Sequence, residues 1–179
     1  MIEQSDQELV TGCLHGDNEC FGVLLDRYEK PVFNLAYRFA GTRDDAEDIT
    51  QSAFVKIYEN LSTYDPRRKF FSWMYRIALN EALNYKRSQR ETSELPEEIT
   101  SDEITIHDEL EHKEEQQRIG QALFGIHEDL RSVIVLHYFA ECSYADISYI
   151  LSIPERTVKS RLYEARERLR HLLNRPRSS

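Results

Sequence analysis

Cysteine is scarce. Only Cys13, Cys20 and Cys142 occur in 179 residues, an odd number with no CxxC pair, which argues against a disulfide scaffold or a zinc ribbon. The three are expected to be small buried apolar side chains. The six histidines are scattered and form no HExxH, and the six glycines form no GxGxxG. No GxSxG or phosphate-loop run occurs, so neither an enzyme nor a bound metal or cofactor is expected. Long apolar runs are missing too. The longest aliphatic stretch, Val133–Leu136, falls far short of the ~20 residues that span a bilayer, so no stable membrane insertion is expected. The amino terminus has no basic region followed by an apolar stretch, and the expected compartment is the cytoplasm. Positive charge is in deficit: 23 Lys and Arg against 32 Asp and Glu give a net charge of −9 and a pI near 5.2. Taken whole, that argues against coating nucleic acid or anionic membrane by bulk charge. What is present, 40% hydrophobic and 11% aromatic residues, suffices for a core, in one ordinary domain or two small ones.

The net charge hides a segmentation. Residues 1–90 hold 12 basic and 14 acidic side chains, residues 91–115 one basic and 11 acidic, and residues 116–179 ten basic and seven acidic. The middle stretch carries Pro96 and little apolar periodicity, and reads as an acidic, flexible linker between two domains, 1–90 and 116–179. The flanks are locally basic: residues 67–90 carry seven Lys or Arg and only Glu81 as an acid, and residues 153–179 carry eight against three. Two basic patches joined by an acidic tether suggest a bipartite nucleic-acid binder.

The fold expected is all-α, with two small helical domains. Ser5 with Glu8 makes a capping-box pattern ahead of the first helix. Asp17 caps the next, Pro31 opens a third, and Gly41 ends it. In the following helix Ala46, Ile49, Ala53, Phe54, Ile57 and Leu61 form an apolar stripe, while Asp44, Asp48, Gln51, Ser52, Lys56 and Glu59 face away. Ser62–Lys69 is a loop, and Phe70–Arg87 a long amphipathic helix. After the tether come helices near Gln116–Phe124, Asp129–Phe139, Tyr144–Leu151 and Glu155–Leu173. Val133–Leu136 has strand propensity but no second strand to pair with, so helix is expected.

Two segments carry binding chemistry. Ser143 with Asp146 caps a short helix, Ser152-Ile153-Pro154 makes a tight turn, and the next helix has Val158, Leu162, Ala165, Leu169 and Leu172 on one face. Its other faces carry Arg156, Thr157, Lys159, Ser160, Arg161, Tyr163 and Arg166. Two helices joined by a short turn, the second basic and amphipathic, match a helix-turn-helix, whose long donors reach base edges or phosphates in the major groove. In the helix Phe70–Arg87, Arg76, Asn80, Asn84 and Arg87 make one polar stripe, and Asn can pair with a base edge. Just before it, Tyr64, Phe70, Phe71 and Trp73 interleave with Arg67, Arg68 and Lys69, a mixture suited to unpaired bases: rings stack on them and cations hold the phosphates. Phe71 and Tyr75 are expected in the core. Tyr64, on a loop beside Asp65-Pro66, is expected to be exposed.

These residues resemble a known family. Phe70-Phe-Ser-Trp-Met-Tyr-Arg-Ile-Ala-Leu-Asn80 is similar to the region-two signature of extracytoplasmic-function (ECF) sigma factors of the sigma-70 family. Asp45-Ala-Glu-Asp-Ile-Thr-Gln-Ser-Ala-Phe54 resembles their core-polymerase-binding helix. Ser143-Tyr-Ala-Asp-Ile and Thr157-Val-Lys-Ser-Arg-Leu-Tyr-Glu-Ala-Arg166 resemble their region-four helix-turn-helix. The motifs stand in the family's order and span roughly residues 5–173. The resemblance implies a non-catalytic subunit that joins core RNA polymerase and directs it to promoter DNA, with an anti-sigma factor as a further partner. It implies a polymerase contact at Asp44, Asp48, Gln51, Ser52 and Lys56. It places the minus-ten element on Tyr64, Arg67, Arg68, Lys69, Arg76, Asn80, Asn84 and Arg87, with Trp73 facing either DNA or core. It places the minus-thirty-five element on Arg156, Thr157, Lys159, Ser160, Arg161 and Arg166. Arg156 stands where the family usually has Gly, and Cys142 where Gly or an aliphatic residue is common. The alternative is a stand-alone helix-turn-helix regulator, whose ligand or receiver domain would be residues 1–90, although that segment carries no ligand motif.

Overall fold

A computed structural model describes residues 4–92 and 110–174, and all regular structure among them is helical. The chain divides into two compact units. The first contains α1 (Asp6–Leu14), α2 (Asn18–Ala40), α3 (Arg43–Glu59), a 3-10 turn (Leu61–Thr63) and α4 (Phe70–Thr92). The second contains α5 (Leu110–Phe124), α6 (Glu128–Ile134) with a π turn at Val135–Phe139, α7 (Tyr144–Leu151) and α8 (Glu155–Leu173).

The caps form as the sequence pattern implies. The Ser5 hydroxyl and the Glu8 carboxylate close a reciprocal capping box on α1, and Ser143 with Asp146 does the same on α7. The Asp17 carboxylate accepts from the Glu19 backbone N–H at 3.0 Å. Gly41 follows α2 with φ of 88°, a left-handed conformation that only glycine adopts without strain. Ala46, Ile49, Ala53, Phe54, Ile57 and Leu61 are all buried. In the second unit Val133–Leu136 is buried on a helical backbone running into the π turn.

Two expectations are corrected. Pro31 does not open a helix; it lies inside the 23-residue α2. A proline there forgoes one backbone hydrogen bond, but α2 buries Leu24 before it and Val32, Leu35 and Phe39 after it, and that burial outweighs the break. Pro154, which closes the turn before α8, is the N-cap residue of that helix, with ψ of 147°. Finally, α4 runs to Thr92 and α5 begins at Leu110, so helix enters both ends of the segment read as tether. Its Glu and Lys are good helix formers, and acids suit a helix start. The rest of that segment, 93–109, lies outside the described residues.

Candidate nucleic-acid interface

The period of α4 separates two faces. Met74, Tyr75, Ala78, Leu79 and Ala82 are buried, which leaves Arg76, Asn80, Asn84 and Arg87 exposed along the opposite side. Two guanidiniums and two amides in one row offer donors and acceptors to bases and phosphates alike. The loop ahead of α4 carries Arg67, Arg68 and Lys69, all exposed. The Arg67 guanidinium forks onto Asp65 at 2.9–3.1 Å and, together with the Arg67 backbone N–H, holds the Asp65 carboxyl below the usual carboxylate range.

Tyr64 is not exposed. Only 8% of it reaches solvent. Its ring stands edge-on to Phe70 at 5.4 Å and lies 5.6 Å from Trp73, and its hydroxyl donates to the Arg68 carbonyl at 2.6 Å. An aromatic ring with three such partners gains more inside than on the loop's surface. Trp73 is likewise buried, at 7% exposure, and faces the core. Together Tyr64, Phe70 and Trp73 form the floor under the cationic loop.

The polar face of α3 is divided. Asp44, Asp48, Gln51, Ser52 and Lys56 are all exposed, but the Ser52 hydroxyl and the Lys56 ammonium both bind Glu81 of α4, at 2.9 and 2.5 Å. Along the sequence Glu81 is only the lone acid of a basic stretch, and its partners on α3 become neighbours only in the fold. Asp45 accepts from the Tyr85 hydroxyl; burial first, and that bond second, push Tyr85 up to about 12. Beside this face lies a groove of about 740 Å³, lined by Phe21 and Leu25 of α2 and Phe54, Val55 and Tyr58 of α3. Val55 and Tyr58 are half exposed. The sequence signal was present, as two apolar residues off the buried stripe.

On α8, Val158, Leu162 and Ala165 are buried, and Arg156, Lys159, Ser160 and Arg166 are exposed. Thr157 is half-buried, and its carbonyl accepts from the Ser160 hydroxyl. The Lys159 ammonium lies 5.8 Å from the Tyr144 ring centre and the Arg166 guanidinium 5.9 Å from that of Tyr138. Arg161 is turned aside: half-buried, it pairs with Asp129 of α6 at 3.2 Å. Tyr163, 69% exposed, shares the outer face with Arg156 and Ser160 and belongs with the candidate contacts. The turn that presents α8 is held by Ser152 in the left-handed region (φ 53°) and by the Ser148 hydroxyl on the Ile153 carbonyl at 2.6 Å. Cys142 is 3% exposed, and burial raises the Cys13 and Cys20 thiols, so none of the three has the marks of a reactive thiolate. Among the described residues no cluster of His, Cys, Asp or Glu is arranged to hold a metal, and no helix is long and apolar enough to cross a membrane.

The two units match two family descriptions: Sigma-70 region 2 over residues 24–92 and Sigma-70 region 4 over residues 116–169. The chain is 35% identical over 170 residues to the ECF RNA polymerase sigma factor SigW of Bacillus subtilis (strain 168), covering 88% of this chain and 91% of that protein. It is 34% identical over 180 residues to the ECF RNA polymerase sigma-E factor of Escherichia coli (strain K12), covering 93% and 94%. Two solved structures share its fold at 24% identity. CnrH in complex with the cytosolic domain of CnrY gives a TM-score of 0.75 and covers 96% of this chain and 98% of that one. The sigma factor RpoE in complex with the anti-sigma factor NepR from Bartonella quintana gives 0.72, with coverage of 88% and 98%. With both sigma regions in order along one chain, and relatives matched over nearly their whole length, this protein belongs to the ECF RNA polymerase sigma factors of the sigma-70 family.

Proposed function

We propose that this sigma factor engages core RNA polymerase through the exposed face of α3 and reads its promoter through α4 and α8. The carrying observation is the exposed row Arg76, Asn80, Asn84 and Arg87 beside a cationic loop that is set on a buried aromatic floor. A rigid floor lets the loop be presented without ordering cost when a minus-ten strand arrives. Asn80 reads a base edge; Arg76, Asn84, Arg87, Arg67, Arg68 and Lys69 hold the strand. Tyr64 and Trp73 act from beneath, shaping the loop. On α8, Arg156, Thr157, Lys159, Ser160, Tyr163 and Arg166 meet the minus-thirty-five element, while Arg161 fixes α8 against α6. Asp44, Asp48 and Gln51 form the polar part of the polymerase contact, with Ser52 and Lys56 at its edge and the Phe21–Tyr58 groove supplying apolar area beside it.

The protein acts in the cytoplasm, where its polymerase is. The fold relatives CnrH and RpoE are described in complexes with the cytosolic domain of CnrY and with the anti-sigma factor NepR, and an anti-sigma partner that covers these surfaces is proposed here as well. The acidic segment 91–115 serves as a tether whose carboxylates imitate nucleic-acid charge in a basic polymerase channel; replacing them with Ser and finding core affinity and initiation unchanged would dismiss that role.

In vitro transcription tests the whole reading. Purified protein with core polymerase initiates from a promoter that core alone ignores. Asn80→Ala lowers promoter opening by the ~1–3 kcal/mol of one base contact and leaves core affinity intact. An Asn80→Ala holoenzyme that opens promoters like the parent would remove Asn80 from the interface.

A further inference from the structure

The region 2 match begins at residue 24, so α1 lies wholly outside it. Yet α1 packs against the 3-10 turn that leads into the cationic loop. The Gln7 side-chain amide, in the first turn of α1, donates to the Pro66 carbonyl at 2.5 Å across 59 residues of sequence. The neighbouring Asp6 accepts from the Tyr28 hydroxyl at 2.6 Å and from the Arg27 guanidinium. The Tyr28 ring lies 5.8 Å from Phe70 and 6.3 Å from Phe71, and Phe70 abuts Tyr64, whose hydroxyl holds the Arg68 carbonyl. Two carbonyls of one exposed loop, Pro66 and Arg68, are thus held by side chains, one from α1 and one from the aromatic floor.

We infer that Gln7 is a positioning residue for minus-ten recognition, acting through the Pro66 carbonyl on the loop that carries Arg67, Arg68 and Lys69. The inference rests on reading that loop and α4 as the minus-ten site. Asp65 accepts from the Arg67 side chain and backbone, and its carbonyl accepts from the Arg68 N–H at 2.9 Å. Residues 65–68 therefore move together, and the Gln7 bond fixes their position relative to the Asn80 row. Contacts to the strand backbone fix its register, so a displaced loop misaligns the strand with Asn80 and lowers the discrimination between sequences. Gln7 itself is exposed, so replacing it removes little packing. The capping box at Ser5 and Glu8 keeps the first turn of α1 formed around it.

The test uses holoenzyme reconstituted with core polymerase, and a promoter selected by the wild-type holoenzyme from a randomised library. Two fluorescein-labelled non-template-strand oligonucleotides serve as probes, one with the selected minus-ten sequence and one scrambled. The readout is the ratio of their dissociation constants, which a change in the folded fraction does not move. Gln7→Glu keeps the shape but removes the donor, and Gln7→Ala removes both. Each is expected to cut the ratio about three- to tenfold, as for loss of one hydrogen bond, with core affinity unchanged and the thermal midpoint lowered only by the small cost of that bond. An unaltered ratio, or equal weakening on both probes, overturns the inference. Asn80→Ala in the same assay separates the layers: if it also leaves the ratio unchanged, the minus-ten reading itself has failed.

Discussion

Replacing Arg131 by Met is expected to loosen the second unit as a whole. Arg131 is 1% exposed, and its guanidinium lies 4.7 Å from the Phe124 ring centre. Its Nε donates to the Leu123 carbonyl at 2.8 Å, and its Nη2 to those of Phe124 and Ile126 at 2.9 and 3.2 Å. Helix α5 ends at Phe124, and the last carbonyls of any helix have no partner of their own. Arg131 reaches back from α6 to supply one. Met keeps most of the volume and none of the donors. Three carbonyls each losing the Arg131 donor, two of these bonds buried and one part-buried, cost roughly 3 kcal/mol at ~1 kcal/mol per bond. A unit of roughly 65 residues has only ~3–10 kcal/mol in total. At ~1.4 kcal/mol per tenfold, the opening equilibrium rises about a hundredfold. Hydrogen exchange on the full chain reads this directly: amides of α5–α8 should exchange about a hundredfold faster, and those of α1–α4 at the parent rate. The competing possibility is physical. Desolvating a guanidinium is expensive, and some buried ionic groups are replaced by apolar ones at no loss. Exchange in α5–α8 within threefold of the parent would show that this cost cancels the three bonds, and would refute the capping argument.

Tyr64→Phe removes the bond to the Arg68 carbonyl but keeps the ring, so it should cost about 1 kcal/mol of stability and raise exchange at Arg68 and Lys69; full retention of both would mean that the hydroxyl does not hold the loop. Lys159→Ala should weaken holoenzyme binding to promoters that depend on the upstream element and reduce its salt dependence by about one phosphate contact. Arg161→Ala should instead leave the salt dependence alone and couple to Asp129→Ala by roughly 0.5 kcal/mol in a double-mutant cycle; a salt slope lowered like that of Lys159→Ala would return Arg161 to the DNA face. For Tyr85 the folded pKa is raised to about 12, so the protonated form is favoured in the folded state. Its contribution is complete below about pH 10, the unfolded value, and is lost as pH rises toward 12. The stability gap between parent and Tyr85→Phe, read by urea midpoints, should therefore shrink across that window, and a constant gap would contradict the assignment.

The features legible in the sequence were local. The capping boxes at Ser5 and Ser143 span three residues, and the stripes of α3, α4 and α8 repeat within one helix, so periodicity and spacing suffice to place Asn80 and Lys159 on exposed faces. What stayed hidden depends on partners far along the chain. Pro31 looked like a helix start because local propensity says so, and the buried flanks of α2 overrule it. Tyr64 looked exposed because it neighbours Asp65-Pro66, but Phe70 and Trp73 draw its ring inward. Arg131 and Arg161 have the same composition signature as any surface cation. Only the α5 terminus distinguishes the first, and Asp129, 32 residues away, distinguishes the second. Gln7 gave no signal at all, since Pro66 becomes its neighbour only in the folded unit.

The same contrast explains why a chain of net charge −9 carries a DNA-reading helix. On α8 the acids of the carboxyl-terminal half are matched within the helix: Glu164 pairs with Arg168 at 2.9 Å and Glu167 with Arg170 at 3.1 Å. Such exposed pairs add little stability, but they cancel each other's field beyond a short distance. The amino-terminal half, with Arg156, Lys159, Ser160 and Tyr163 on its outer faces, has only Glu155 as an acid. It is that half of a recognition helix that meets base edges. With a screening length of ~8 Å at physiological salt, a phosphate at this end responds chiefly to Arg156 and Lys159. The helix is therefore polarised along its length: Arg156, Lys159 and Arg161 stand against Glu155 in the half proposed to read bases, and only Arg166 is in excess over the matched pairs behind it. Two nearby cations are few for duplex binding, whose affinity scales with the number of phosphates neutralised. Alone, the second unit should bind DNA weakly and with a shallow salt dependence. Its specificity becomes useful once core polymerase supplies the remaining contacts.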